Sequence, residues 1–225
     1  MWFRDLTGFD EESPEQVRSL LRLEGTRLQS TVNNRSFEAG VLETPRLSEL
    51  RSGAETHDTN RRLLQVSEVV ADVQRVHVGS RHDPALFQVA SQFNLLEMVG
   101  PSVTPEQGVG RYEGDPTQGP ACAIACGAAT IYRNYFVPLD GLIGQTHERQ
   151  IDCLADIGDF LGNDSSELWS MRNGYMLPSE HGLKEISQNI AAMDEEEVEE
   201  LRGRLRIGMQ WASMHRRTIR SRSSR

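Results

Sequence analysis

PALFQVASQFNLLEMVGPSVTPEQGVGRYEGDPTQGPACAIACGAATIYRNYFV, residues 84–137, gathers apolar runs, turn-forming glycines, most of the chain's prolines, and a polar cluster of Gln92, Asn94, Glu97, Asp115, Thr117 and Gln118. Its first part, ALFQVAS, is an apolar run of strand length, and Gln92-Phe93-Asn94 follows at its C-terminal end. In an open α/β sheet that edge is where ligands bind, so these polar side chains are expected to emerge there. Further on, Gly119-Pro120 opens ACAIACGAATIYRNY. Pro120 suits a first helical turn because its missing N–H has no intrahelical partner there. The small residues Ala121, Cys122, Ala125, Cys126, Ala128 and Ala129 let the expected helix approach a sheet closely. The loop Asp115-Pro116-Thr117-Gln118-Gly119 then lies at a helix N-terminus, where free N–H groups and the helix dipole favour an anion such as a phosphate or pyrophosphate.

Two common phosphate motifs fail on this stretch. Gly114 and Gly119 have the outer spacing of a P-loop, but Pro120 occupies the position of the lysine. Gly108, Gly110 and Gly114 miss the GxGxxG spacing by one residue. Neither a Walker NTPase nor a standard dinucleotide-binding dehydrogenase is supported.

The runs ALFQVASQFNLLEM and DPTQGPACAIACGAATIYRNYF resemble those of a macrodomain-like family related to bacterial effectors that remove ADP-ribose from arginine. In ordinary macrodomains a strand ends in Asn-Ala-Ala-Asn, whose last Asn binds the distal ribose, and a later glycine-rich loop leads into a small-residue helix beside it. Here Ala90-Ser91-Gln92-Phe93-Asn94 stands for the first element and Gly119-Pro120-Ala121-Cys122-Ala123-Ile124 for the second; the usual triple-glycine loop between them is absent. The resemblance implies a macrodomain-like α/β fold, a mixed sheet flanked by helices, incomplete at the C-terminus. It also implies ADP-ribose or an ADP-ribosylated protein as partner, with hydrolysis of ADP-ribosyl-arginine where the site is complete. On this reading Gln92, Phe93, Asn94, Thr117, Gln118, Gly119 and Ala121 bind the ligand, Glu97 and Asp115 are the catalytic carboxylates, and no cofactor or metal is required. The alternatives are a non-catalytic ADP-ribose reader and an inactive truncated homologue.

The residues themselves leave several roles open. Glu97 and Asp115 can serve as acid, base or water-orienting groups in N-glycoside cleavage, or as structural ion-pair partners of Arg111 or Arg133. Asn94 can bind a ribose diol or cap the next turn. Tyr132 and Tyr135 can stack on adenine or fill the core. Cys122 and Cys126, one helical turn apart, can hold a metal or pack as buried small residues, and no nearby His or Cys completes a coordination shell.

The rest of the chain frames this stretch. At 225 residues, 37% hydrophobic and 25% charged, it has the composition of one ordinary globular domain. A net charge of −9 argues against nucleic acid as the main partner. No apolar run reaches membrane-spanning length and no signal-peptide pattern opens the chain, so a cytoplasmic protein without a membrane partner is expected. Three cysteines without CxxC spacing fit reduced thiols.

Ser13-Pro14-Glu15-Gln16 predicts a helix start, continued by a stripe of Val17, Leu20, Leu21 and Leu28. The segment from there to Arg62 reads as loop with a short element near Leu47. Leu63–Ala71 reads as a short element and Val73–Gly79 as a strand. Val137–Gly141 reads as a hairpin-like turn, His147–Leu161 as a helix, and Leu168–Met171 as another short helix before a turn at Asn173-Gly174. Gly182–Met193 and Asp194–Arg206 read as a helical pair. The domain is assigned to 1–214, with residues 215–225 as a disordered basic tail. That tail follows a family-like segment that relatives extend with further elements and a glycine-rich loop, so a truncated or frame-altered version is expected. A genuine Arg/Ser tail touching RNA or acidic surfaces is the competing reading.

Overall fold

The structure, a computed structural model, describes residues 1–53, 70, 86–88, 91–115 and 117–216. The elements predicted over 63–69 and 71–79 lie outside these residues, as do 217–225.

The chain opens with helix α1 (Trp2–Thr7), closed by Gly8 in the left-handed conformation, and α2 (Pro14–Leu20). The predicted cap forms: Ser13 Oγ accepts the Gln16 N–H at 3.2 Å. The helix ends at Leu20, so Leu21 and Leu28 belong to strands rather than to its stripe. A three-stranded antiparallel sheet of β1 (Leu21–Glu24), β2 (Arg27–Ser30) and β3 (Ser36–Glu38) occupies part of the segment expected to be loop. Its strands are three or four residues long, too short for a two-residue alternation to stand out against the charged residues between them. Helix α3 (Leu47–Gly53) supplies the predicted element near Leu47.

Among its described residues, the ALFQVAS run contributes to a two-stranded sheet, where the centre of an open sheet was expected. Its described part, β4 (Leu86–Gln88), is paired antiparallel with β9 (Met214–Arg216) at the start of the predicted disordered tail. The small-residue helix is also corrected. It breaks at Cys126 (φ −104°, ψ 37°) into α4 (Gln118–Ala125) and α5 (Gly127–Tyr135). The Trp2 ring packs against Gly127 so closely that a Cβ there meets Cζ3 at 2.9 Å, and Thr130 Oγ1 donates back to the Ala123 carbonyl at 2.7 Å. Both contacts hold the chain in its new direction.

A short hairpin, β5 (Pro138–Leu139) and β6 (Leu142–Ile143), forms where the hairpin-like turn was expected. Residues 147–154 are irregular, and helix α6 covers only Ala155–Leu161. The predicted short helix at 168–171 is instead β7 (Trp169–Arg172), paired with β8 (Tyr175–Pro178) across an Asn173-Gly174 turn in which both residues have positive φ. That is the geometry of a tight two-residue hairpin. The helical pair forms as α7 (Glu180–Ala192) and α8 (Glu195–Ser213). Asp194 and Glu197 cap each other reciprocally, at 2.9 and 3.0 Å.

The result is a mixed α/β chain with small antiparallel sheets. One core cluster joins Phe3, Phe9, Val17 and Leu28 to Val109, Ile131 and Tyr135, so the N-terminal region and α5 share an interior. A second joins Leu154, Ile157 and Leu168 to Trp169 and Leu201; Phe93 packs against it and against a third around Leu95 and Ile151. Among the described residues no helix is long and apolar enough to cross a membrane.

Candidate functional site

The loop after Ser91 is shaped by Asn94. Its Oδ1 accepts the Leu96 N–H at 3.1 Å, an Asx-type turn that holds Leu95 at φ 64°. Its Nδ2 donates to Gln150 Oε1 at 2.8 Å, and its carbonyl accepts from Gln145 Nε2 at 3.0 Å. Asn94 is 0% exposed. In this structure it is a strut of the loop, not a side chain emerging from a strand edge.

Gln92 is engaged at both ends as well. Its Oε1 accepts the Met98 N–H at 2.6 Å and its Nε2 donates to the Tyr175 hydroxyl at 3.2 Å, while that hydroxyl donates to the Met98 carbonyl at 2.7 Å. Phe93 packs between two core clusters. The predicted ligand-binding edge at 92–94 is therefore an internal brace. The physical reason is the β7–β8 turn, which seats on it: Phe93 donates to the Gly174 carbonyl at 2.8 Å, and a Cβ on Gly174 runs into Asn94 and Gln92. Asn173 continues the brace by donating to the Pro101 carbonyl at 2.7 Å and accepting from Gln150 at 2.9 Å.

This brace positions Glu97. The Glu97 N–H donates to the Tyr112 hydroxyl at 2.9 Å, and its side chain is buried at 6% exposure. Burial pushes the Glu97 carboxyl up to about 8; the nearby Arg133 guanidinium opposes the shift and the Asp115 carboxylate adds to it. Asp115 has the opposite environment. It accepts the Thr117 N–H at 2.9 Å and the Thr117 hydroxyl at 2.6 Å, which hold its pKa below the usual range. Glu97 and Asp115 thus lie within electrostatic reach of one another with opposed proton affinities, and Tyr175 feels the charge of both.

The helix start lies directly after Asp115. Thr117 is the N-cap of α4 but makes no side-chain cap bond, because its hydroxyl serves Asp115. Gly119 is buried, Ala121 is half-buried and Thr117 is exposed; Gln118 is the first helical residue. The two expected carboxylates are therefore within electrostatic reach of each other and the helix start follows Asp115, while Gln92, Phe93 and Asn94 brace the loop that carries Glu97. Arg111 donates to Gln107 at 2.6 Å, whereas Arg133 acts on Glu97 from a buried position and donates to Thr130 at 3.2 Å. Tyr135 is a core residue, and Tyr132 packs half-buried against two clusters.

Cys122 and Cys126 are buried, and burial pushes the Cys122 thiol up to about 11. No group of three or more potential metal ligands occurs among the described residues. The sequence reading missed Tyr175 and the amides Gln145, Gln150 and Asn173. These follow no helix or strand period; the one available signal was the Asn-Gly turn, which brings Asn173 and Tyr175 to the site. In comparisons with known proteins, no family model, curated protein or solved structure matches this chain.

Proposed function

We propose that this chain is a macrodomain-like protein that binds ADP-ribose at the surface around Asp115 and the α4 start, and hydrolyses ADP-ribosyl-arginine there. The observation that carries the reading is the Glu97–Asp115 pair, with one carboxyl that keeps its proton near neutral pH and one that does not. Pairs whose environments separate their proton affinities divide acid and base roles. The ADP-ribose identity comes from the resemblance of residues 84–137.

In this mechanism the pyrophosphate lies against the first-turn N–H groups of α4, left without a side-chain cap. Asp115 orients a water at the ribosyl C1 and takes its proton as the C–N bond breaks. Glu97 donates its proton to the leaving guanidine nitrogen, so the products are ADP-ribose and a free arginine side chain. Developing positive charge on the ribosyl ring is stabilised by the Asp115 carboxylate.

The test is the pH profile of hydrolysis of an ADP-ribosyl-arginine peptide. The rate is expected to fall on the alkaline side near pH 8 as Glu97 ionises. It falls on the acid side as Asp115 takes up a proton. Glu97→Gln removes the alkaline limb along with most of the rate, and Asp115→Asn abolishes turnover while the chain stays folded. Wild-type rates in both variants overturn the mechanism. ADP-ribose binding with no turnover in the wild type assigns the chain to the non-catalytic readers.

A further inference from the structure

A cleft apart from the Glu97–Asp115 region lies between the segment before α3, the loop leading into α6, and the C-terminal half of α8. It is a cleft of about 230 Å³ whose walls include Arg46, Asp152, Asp156, Arg204, Ile207 and Trp211. None of these residues belongs to the Glu97–Asp115 pair or its brace.

The charges around the cleft are not balanced one to one. Arg46 pairs with Asp159 at 2.5 Å and with Asp156 at 3.8 Å. Arg204 pairs with Asp156 and, at 3.0 Å, with Glu200, which also takes Arg51 at 2.5 Å. Three guanidinium groups thus answer three carboxylates, and Arg204 is further fixed over the Phe160 ring, 5.0 Å from its centroid. The fourth carboxylate, Asp152, makes no ion pair among the described residues. One of its oxygens accepts the Leu154 N–H at 2.7 Å, which fixes the carboxylate in place. The residue is exposed, and as a wall of the cleft it faces that space.

Beside this carboxylate stands an apolar wall with a set orientation. The Trp211 indole N–H donates to the Pro45 carbonyl at 3.3 Å, pinning the ring, and Ile207 lies one helical turn earlier on α8. A pinned indole beside a carboxylate that meets no cation among the described residues suits a positive head on an aliphatic stem. The head pairs with the carboxylate, and the ring accepts the stem and the cation's field. An anionic ligand finds both cleft arginines already neutralised.

We propose that this cleft binds an organic cation, a guanidinium or ammonium group on an aliphatic chain, with Asp152 as its charge partner and Trp211 as its apolar wall. The site is independent of the ADP-ribose reading.

The test uses the full chain, labelled with ¹⁵N, and butylguanidinium as probe. The Trp211 indole cross-peak, assigned by its loss in Trp211→Phe, is expected to shift saturably, and the binding to weaken as salt is raised. Asp152→Asn keeps an oxygen for Leu154 but removes the charge, and is expected to weaken binding by about ten-fold or more, the size of one charge-assisted contact. The indole peaks of Trp2 and Trp169 report whether that variant is folded. A blocked Gly-Arg-Gly peptide that binds as well as butylguanidinium points to a protein side chain as the natural occupant; binding of butylguanidinium alone points to a free amine or guanidine. No shift in the folded wild type, an unchanged affinity in folded Asp152→Asn, or equal binding of 1-butanol or butyrate overturns the proposal.

Discussion

The Tyr135 hydroxyl donates to the Glu11 carboxylate at 2.6 Å, across 124 positions of sequence. The same carboxylate accepts the N–H groups of Val109 and Gly110, at 3.0 and 2.6 Å. A side chain from the N-terminal segment thereby fills an anion nest made by the loop that leads to the candidate site. Gly108 (φ 87°) is required beside it, since any Cβ there meets the Glu11 carboxylate.

Glu11→Ala leaves two N–H groups and one hydroxyl without their acceptor. The expected cost is about 1–3 kcal/mol, the usual penalty for buried donors left unsatisfied. Urea unfolding measures it. Tyr135→Phe removes one donor only and is expected to cost less, so the order of the two midpoints is itself a check.

Folded Glu97 keeps its proton to about pH 8, while an unperturbed glutamate loses it near 4.5. Between those values the unfolded chain has released a proton that the folded chain retains. The contribution of this group to stability is therefore full below pH 4.5, declines as pH rises, and levels off above about 8. The difference in unfolding free energy between wild type and Glu97→Gln is expected to follow that curve, and a pH-independent difference contradicts the buried, protonated carboxyl.

Asn94→Ala removes the Asx turn and a contact to Gln150 from a fully buried position. A loss of about 1–3 kcal/mol is expected from the unsatisfied partners. Gly174→Ala drives a methyl group into Asn94 and Gln92 at a positive φ and is expected to cost at least as much. If both variants unfold at the wild-type midpoint, the brace is not the support assigned to it.

Burial places the Cys122 thiol at about 11 and the Cys153 thiol at about 12, with both side chains out of solvent. A thiol reagent at pH 8 is expected to leave the native chain unmodified and to titrate all three cysteines after unfolding. Fast reaction of a cysteine in the native state contradicts that packing.

Local chemistry was legible where one residue decides a structure alone. Ser13 with Gln16 marked a helix start, and Asn173-Gly174 marked a turn. The turn was read without its strands, since Trp169, Met171 and the residues between fit either period over so short a run. The break at Cys126 was not legible: the Trp2 ring that packs against Gly127 beside it comes from well over a hundred residues away. Glu97 and Asp115 stand out in the sequence as the carboxylates of the polar cluster in residues 84–137. Their opposite proton affinities were not legible, because those come from burial of one and from the hydroxyl that Thr117 gives the other. Of the two roles the sequence leaves open for Asn94, the structure shows the turn cap, and a polar residue after an apolar run has the same appearance whether it meets a ligand or the turn of a distant hairpin.

The most direct test is a calorimetric titration of the intact chain with ADP-ribose. The account predicts saturable micromolar binding that Asp115→Asn alters and that is retained by Asn94→Ala to the extent that this variant remains folded. No heat from a chain shown to be folded contradicts the account at its centre, since without that ligand the Glu97–Asp115 pair has no substrate on which to act.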